Sequence, residues 1–378
     1  MTKAKKMAKA ARARSVAIIG TRGYPSYYGG FETAVRKLAP YLVDANWETT
    51  VYGRPNSTRE NDPERDPRVR TVETAGYESK SLSTLTYGFT SILHACVHKP
   101  DVAIVMNVAN GFWLPLLRLR GIPSLVNVDG IEWDRAKWGP FAKSVFKLGA
   151  KFTAIFGDVL VSDSREIARR WKQDFNRDSV FIPYGGDAPL ELPTVEGLPS
   201  RGYVLVVARF VPENSIGEFF EAVPKIAAKY PIVIVGSSGY GGPLDEQAAE
   251  LARTHTNVQW LGHLNDDEKL LSLWQHAGVY FHGHSVGGTN PALVQAMACG
   301  AAVVARDTVY NREVLGSGGQ FTAPYAEDIA DTIDSLMSDP LLQTAARDSA
   351  IERSKAEYTW DLVCSSYEHE VRQLVSPK

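Results

Sequence analysis

The residues with the densest chemistry form one stretch, His282-Gly283-His284-Ser285-Val286-Gly287-Gly288-Thr289-Asn290-Pro291, which runs into Ala292-Leu293-Val294-Gln295-Ala296-Met297-Ala298-Cys299-Gly300. Gly278-Val279-Tyr280-Phe281 before it is a short apolar run that reads as a strand entering a turn. After Pro291, the positions Leu293, Val294, Ala296 and Met297 recur at helical spacing, and Gly300 sits where a helix-ending glycine belongs. A helix leaves its first N–H groups without partners, and these groups plus the helix dipole make a site for an anion such as phosphate. Gly287 and Gly288 let the backbone come close to such a group, Thr289 or Asn290 can cap the helix, and Pro291 suits its first turn. An ordinary strand-to-helix connection can carry the same glycine pair, so other stretches have to decide.

Three of them bear on the question. Ser15 to Gly20 reads as a buried strand and enters the long loop Thr21-Arg22-Gly23-Tyr24-Pro25-Ser26-Tyr27-Tyr28-Gly29-Gly30, with Phe31 onward helical. The loop lacks the glycine spacing of a dinucleotide fingerprint, and its length suggests that it covers a ligand. Tyr203 to Ala208 reads as a strand followed by Arg209-Phe210-Val211-Pro212-Glu213-Asn214. Ser124 to Val128 reads as a central strand ending in Asp129-Gly130-Ile131-Glu132-Trp133-Asp134-Arg135-Ala136-Lys137-Trp138. Ligands of parallel α/β sheets gather at the carboxyl ends of strands, so acids, cations and two tryptophans there have functional weight. His263 and His284, also at strand ends, are candidate contacts to a nucleotide base or diphosphate, whereas His94, His98, His255, His276 and His369 receive no role.

The elements that must position these residues are alternating strands and helices in two successive runs, which predicts an α/β fold of two Rossmann-like domains facing across a cleft. The 378 residues suit two domains, and 44% hydrophobic with 22% charged residues is ordinary for a globular protein. A net charge of −2 gives no reason to expect nucleic acid. Cys96, Cys299 and Cys364 are far apart, without metal-ligand spacing, and fit a reducing, cytoplasmic setting. Residues 1–14 form a basic arm without acids, which reads as a solvated tail or a contact to anionic membrane. Residues 15–190 form the first domain and 191–357 the second, with a Pro-rich linker over 187–201; residues 358–378 carry a final helix.

Taken together, Thr21-Arg22-Gly23-Tyr24-Pro25…Gly29-Gly30-Phe31-Glu32-Thr33, Asp129 to Trp138, Val211-Pro212-Glu213-Asn214 and Gly283 to Pro291 resemble the GT-B retaining glycosyltransferases of family 4, and within them a bacterial rhamnosyltransferase-like branch. The resemblance covers Ser15 to Val371. It implies that the first domain binds the acceptor, the second binds a nucleotide sugar, and the final helix returns to the first domain. The implied donor contacts are Gly29, Gly30, Arg209, Asn214, His263, His284, Gly287, Gly288, Thr289, Asn290 and Gln295. Arg209 stands where the family neutralises the leaving diphosphate. The implied acceptor contacts are Tyr24, Trp133, Arg135, Lys137 and Trp138, with Asp129 or Glu132 accepting a bond from a sugar or acceptor hydroxyl beside Arg209 in catalysis.

The sequence departs from that pattern in places. Gly287 and Gln295 occupy the positions of the broad family's Glu pair, Asn214 and Ser215 replace a common Lys, and Asp129 stands where a His is common. No Asp-x-Asp occurs, so no metal or other cofactor is expected. The expected reaction is transfer of L-rhamnose from dTDP-L-rhamnose to a saccharide or polyprenyl-linked acceptor in cell-envelope polysaccharide synthesis. The missing acidic pair leaves open a nucleotide-sugar binding protein without transfer, and an epimerase on the same architecture is a further alternative. The enzyme is expected in the cytoplasm, with the basic arm able to hold it at the inner membrane face.

Overall fold

The structure is a computed structural model that describes residues 13–27, 29–58, 61–79, 82–135, 138–239, 241–264 and 266–376. It divides into two compact units: residues 1–163, 167–182 and 363–378, and residues 164–166 and 183–362.

The first unit is built on seven parallel strands: β1 (Arg14–Ile19), β2 (Trp47–Gly53), β3 (Arg70–Glu73), β4 (Val102–Met106), β5 (Ser124–Asn127), β6 (Val159–Ser162) and β7 (Val180–Phe181). Their order in the sheet is β3-β2-β1-β4-β5-β6-β7. Central strands such as β4 are apolar at every position because helices cover both faces, and all five of its residues are buried. β3 lies in a charged region and was not legible as a strand, being a short edge element with exposed ends. Arg14, placed by sequence in the basic arm, is the first residue of β1 and pairs with Trp47. Residues 1–12 of that arm lie outside the described residues.

The second unit repeats the plan with β8 (Val204–Val207), β9 (Ile232–Val235), β10 (Val258–Trp260), β11 (Val279–His282), β12 (Val303–Arg306) and β13 (Gln320–Thr322), ordered β10-β9-β8-β11-β12-β13 and all parallel. In both sheets the strand order reverses beside the first strand, between β1 and β4 and between β8 and β11. In an open parallel sheet that reversal opens a crevice at the carboxyl ends of the two strands.

Residues 183–201, Pro-rich by sequence, are tied to the second unit. Asp187 exchanges two hydrogen bonds with Gln295, Leu192 N donates to Gln275, Ser272 donates to Pro193 O, and Arg201 N donates to His276 O. Composition alone hides this, because the partners lie far along the chain. The final helix, Trp360–Leu374, belongs to the first unit from Val363 onward. It is held there by Trp47 Nε1 donating to Glu368 (3.1 Å) and Asn127 Nδ2 donating to the Tyr367 hydroxyl (2.7 Å).

Candidate active site

At the second unit's reversal point, β11 is in register with β8 so that Val279 faces Val204 and Phe281 faces Val206. Arg209 follows the end of β8 and His284 the end of β11. The Arg209 side chain is exposed, and no acid pairs with it among the described residues. Burial, and to a smaller extent the Arg209 charge, pushes the His284 pKa down to about 3, so the imidazole is neutral. His284 Nδ1 is buried and has no hydrogen-bond partner among the described residues. His282, fully buried on β11, stacks on His284 with ring centroids 4.4 Å apart. Burial and the neighbouring His284 keep it neutral as well, while its Nδ1 shares a 3.0 Å hydrogen bond with the Tyr280 hydroxyl.

The two loops are locked together below these groups. Asn214 Nδ2 donates to Arg209 O (2.9 Å), Ser285 N and Oγ both donate to Glu213 O (2.9 and 2.8 Å), and Ser215 Oγ donates to Gly283 O (2.9 Å). Arg306 at the end of β12 donates to Ser215 Oγ (2.8 Å), and Asn311 donates to His284 O (2.9 Å). Gly283 has no room for a side chain, because a Cβ there would overlap Asn214 O. Asn214 is therefore a support for the Arg209 backbone, buried with its amide nitrogen engaged, rather than a free donor contact.

The helix that follows spans Pro291–Ala298 with Asn290 as its cap, the Asn290 side chain accepting from Ala292 N (3.0 Å). Gly287 has φ +100° and Gly300 φ +71°, left-handed values that favour glycine. Gly288 is half-buried and Thr289 buried at the same turn. Gln295 behaves differently from the sequence expectation. Its Oε1 accepts from Asp187 N (3.0 Å) and its Nε2 donates to Asp187 O (2.7 Å), so its amide is engaged on the main chain instead of being held open for a ribose. His263 is exposed after β10, two strands from β8 in the sheet.

In the first unit, Gly20 at the end of β1 has φ +97°, and a Cβ there would overlap Met106 O at the end of β4, so the two strand ends meet closely. Gly29 caps the helix Gly30–Asp44. Behind it, Glu32 accepts from Arg22 N (3.2 Å) and so fixes the glycine loop. At the ends of β4 and β5, Asn107 and Asp129 take left-handed conformations (φ +71° and +59°), and Asn107 Nδ2 donates to Asp129 Oδ2 (3.0 Å). Such strain in residues other than glycine is concentrated at functional sites. Asp129 Oδ1 keeps no partner among the described residues. Asn107 was missed by sequence reading, although its place at the end of β4 beside the reversal point was a usable signal.

Several acceptor candidates turn out to be structural. Tyr24 is fully buried, and its hydroxyl accepts from Asp66 N (3.1 Å). Trp133 is 8% exposed and packs edge-on against Trp171 and Phe175, so it offers no face to a sugar. Glu132 is buried and accepts from Arg135 Nε (2.7 Å) and Trp138 Nε1 (2.7 Å), which engages all three residues in one clamp. Lys137 lies outside the described residues. No group of three or more His, Cys, Asp or Glu among the described residues could hold a metal ion.

Fold and site together define the class, two parallel-sheet Rossmann-like units of the GT-B glycosyltransferase kind. Residues 194–356 match the family model for glycosyl transferases group 1, and residues 13–187 match a domain of unknown function (DUF1972). The group 1 match lies within the second unit. Solved structures of the same fold include sucrose-phosphate synthase (tll1590) from Thermosynechococcus elongatus, with TM-score 0.77 and 19% identity over 96% of this chain and 99% of that one. Anabaena Alr3699/HepE in complex with UDP gives TM-score 0.75 and 15% identity over 95% and 100%. Phosphatidyl-myo-inositol mannosyltransferase of Mycolicibacterium smegmatis is 34% identical over 222 residues, 55% of either chain. O-antigen chain mannosyltransferase B of Escherichia coli is 25% identical over 192 residues, 48% of this chain and 49% of the relative. The chain spans about half the length of these curated relatives.

Proposed function

We propose that the protein is a retaining glycosyltransferase that moves a hexose from a nucleotide-diphosphate sugar to a hydroxyl of a saccharide or lipid-linked saccharide. One observation carries this reading: Arg209, exposed and without an acidic partner among the described residues, is near enough for its charge to act on a neutral His284 at the reversal point of the second sheet. A guanidinium can bind two oxygens of a diphosphate at once and stabilise the charge that builds as it leaves. The neighbouring helix N-terminus at Asn290 adds its dipole. His284 Nδ1, buried without a partner among the described residues, is satisfied when it donates to a phosphate oxygen or shares a hydrogen bond with a sugar hydroxyl. The leaving diphosphate itself takes the proton of the acceptor hydroxyl on the same face, so the chain supplies position and charge rather than a nucleophile. In the first unit, Asp129 Oδ1 is the acid oxygen we assign to the acceptor hydroxyl.

For the donor sugar we place mannose ahead of L-rhamnose. The curated relatives above are named as mannosyltransferases, while rhamnose rests only on the motif resemblance. The test is to incubate the protein with GDP-mannose, dTDP-L-rhamnose or UDP-glucose and a polyprenyl-linked saccharide, and to identify products by mass spectrometry. Acceptor-dependent gain of one hexose from GDP-mannose is expected. Donor conversion without acceptor would make the protein an epimerase, and binding without turnover would make it a nucleotide-sugar binding protein.

A further inference from the structure

The helix Pro140–Phe156 in the first unit has a face that neither the fold nor the transfer reading uses. The helix carries three lysines and no acid, and Lys147 and Lys151 are exposed on it. Its inner side, Gly149, Ala150, Thr153 and Ala154, packs into the unit. Phe141, Leu148 and Ile155 recur every seven residues on the opposite side and are 84, 48 and 61% exposed. By helical geometry Ser144, Lys147 and Lys151 flank that stripe. The carboxyl end of this helix is clipped to its neighbour by Arg118 donating to Ile155 O (3.1 Å), and the next cation, Arg120, donates to Cys96 O on the helix Ser83–His98 (3.0 Å). Leu119, 85% exposed, and Val97, 77% exposed, adjoin the clipped residues and add apolar surface beside two further cations.

Three large apolar side chains held in water on a rigid, acid-free helix are an uncompensated cost in a protein that meets only solvent. A stripe of Phe, Leu and Ile edged by lysines matches the boundary between anionic headgroups and acyl chains. We propose that this face is a docking surface for an anionic phospholipid bilayer, into which Phe141, Leu148 and Ile155 insert while Lys147, Lys151 and Arg118 meet phosphates. No helix among the described residues is long and apolar enough to cross a membrane, so attachment here is to one leaflet. The helix begins directly after Gly139, at the end of the segment that follows β5 and carries Asp129. A lipid-linked acceptor in that leaflet would be presented to the same unit. That last consequence rests on the transfer reading, whereas docking does not.

The test uses the full chain and sedimentation with vesicles of equal phosphatidylglycerol and phosphatidylcholine, compared with pure phosphatidylcholine. Binding to the anionic vesicles is expected, and about fivefold weaker binding for each Lys147→Gln or Lys151→Gln change. The triple variant Phe141→Ser, Leu148→Ser, Ile155→Ser should lose binding at least about tenfold with an unchanged thermal midpoint, since all three side chains are exposed. Equal binding of this variant, or binding lost only when residues 1–12 are removed, would overturn the proposal. A concentration-dependent dimer that the triple variant abolishes, without vesicle binding, would assign the stripe to a second copy instead. Vesicle binding is read without any sugar transfer, so its failure and the failure of the transfer reading are distinguishable.

Discussion

The strand ends of the two sheets present opposite electrostatic situations. In the first unit, two acids after β5 are answered within the unit: Glu132 by Arg135 and the Trp138 indole, and Asp134 by Arg170 at 2.9 Å. In the second unit, Arg209 after β8 has no acid beside it among the described residues, and the facing histidines are kept neutral. Groups that answer each other build the wall of a site, and a cation left unanswered is available to an anionic ligand. The same contrast separates the supports Asn214 and Gln295 from the reactive face, although they lie in the same motifs as Arg209 and His284.

The sharpest way to break this contrast is Arg209→Ala. Turnover at saturating donor should fall by about two to three orders of magnitude, the usual cost of losing a charge-stabilising donor, while the urea midpoint stays put because the side chain is exposed. A near-normal rate would remove Arg209 from catalysis. Glu132→Gln should behave in the opposite way. It breaks a buried ion pair with Arg135 and should lower stability by about 3 kcal/mol in urea unfolding, with activity per folded molecule largely kept. A large loss of turnover at unchanged stability would return Glu132 to the chemistry.

Gln295→Glu tests the support role. A carboxylate would face Asp187 O without a proton to donate, so stability should fall by about 1–2 kcal/mol and activity should not rise. A marked gain in transfer would mean that the position binds ribose after all. The smallest effect is pH dependence. Burial and the Arg209 charge hold the folded His284 at a pKa of about 3, below the ordinary 6.5 of an imidazole, so the unfolded chain binds the extra proton between those values. Stability is therefore full above pH 6.5 and lost as pH falls toward 3. Between pH 7 and 6 the unfolding free energy from urea titration should drop by less than about 1 kcal/mol per neutral histidine, and His284→Asn should flatten that slope.

The alternation of apolar runs and glycine loops made both sheets legible, because central parallel strands are apolar throughout and helices keep a 3.6-residue period. The cap Asn290, the first-turn Pro291 and the terminal Gly300 were readable for the same local reason. The edge strands β3 and β13 were not, since a strand with one neighbour can be short and polar. Tyr24 and Trp133 were misread as sugar contacts because an aromatic residue near a strand end looks the same in sequence whether it faces solvent or a core.

The sequence by itself determined the parallel α/β class, the glycine turns, and the strand-end position of Arg209 and His284, all of which follow from short-range periodicity and backbone stereochemistry. Only the tertiary structure decided which polar side chains were already answered. Gln295 meets Asp187 across 108 residues of chain, and Asn127 meets Tyr367 across 240. A hydrogen bond is satisfied by proximity in space rather than along the chain, so the folded protein alone separates groups that hold the site from groups that face its ligand.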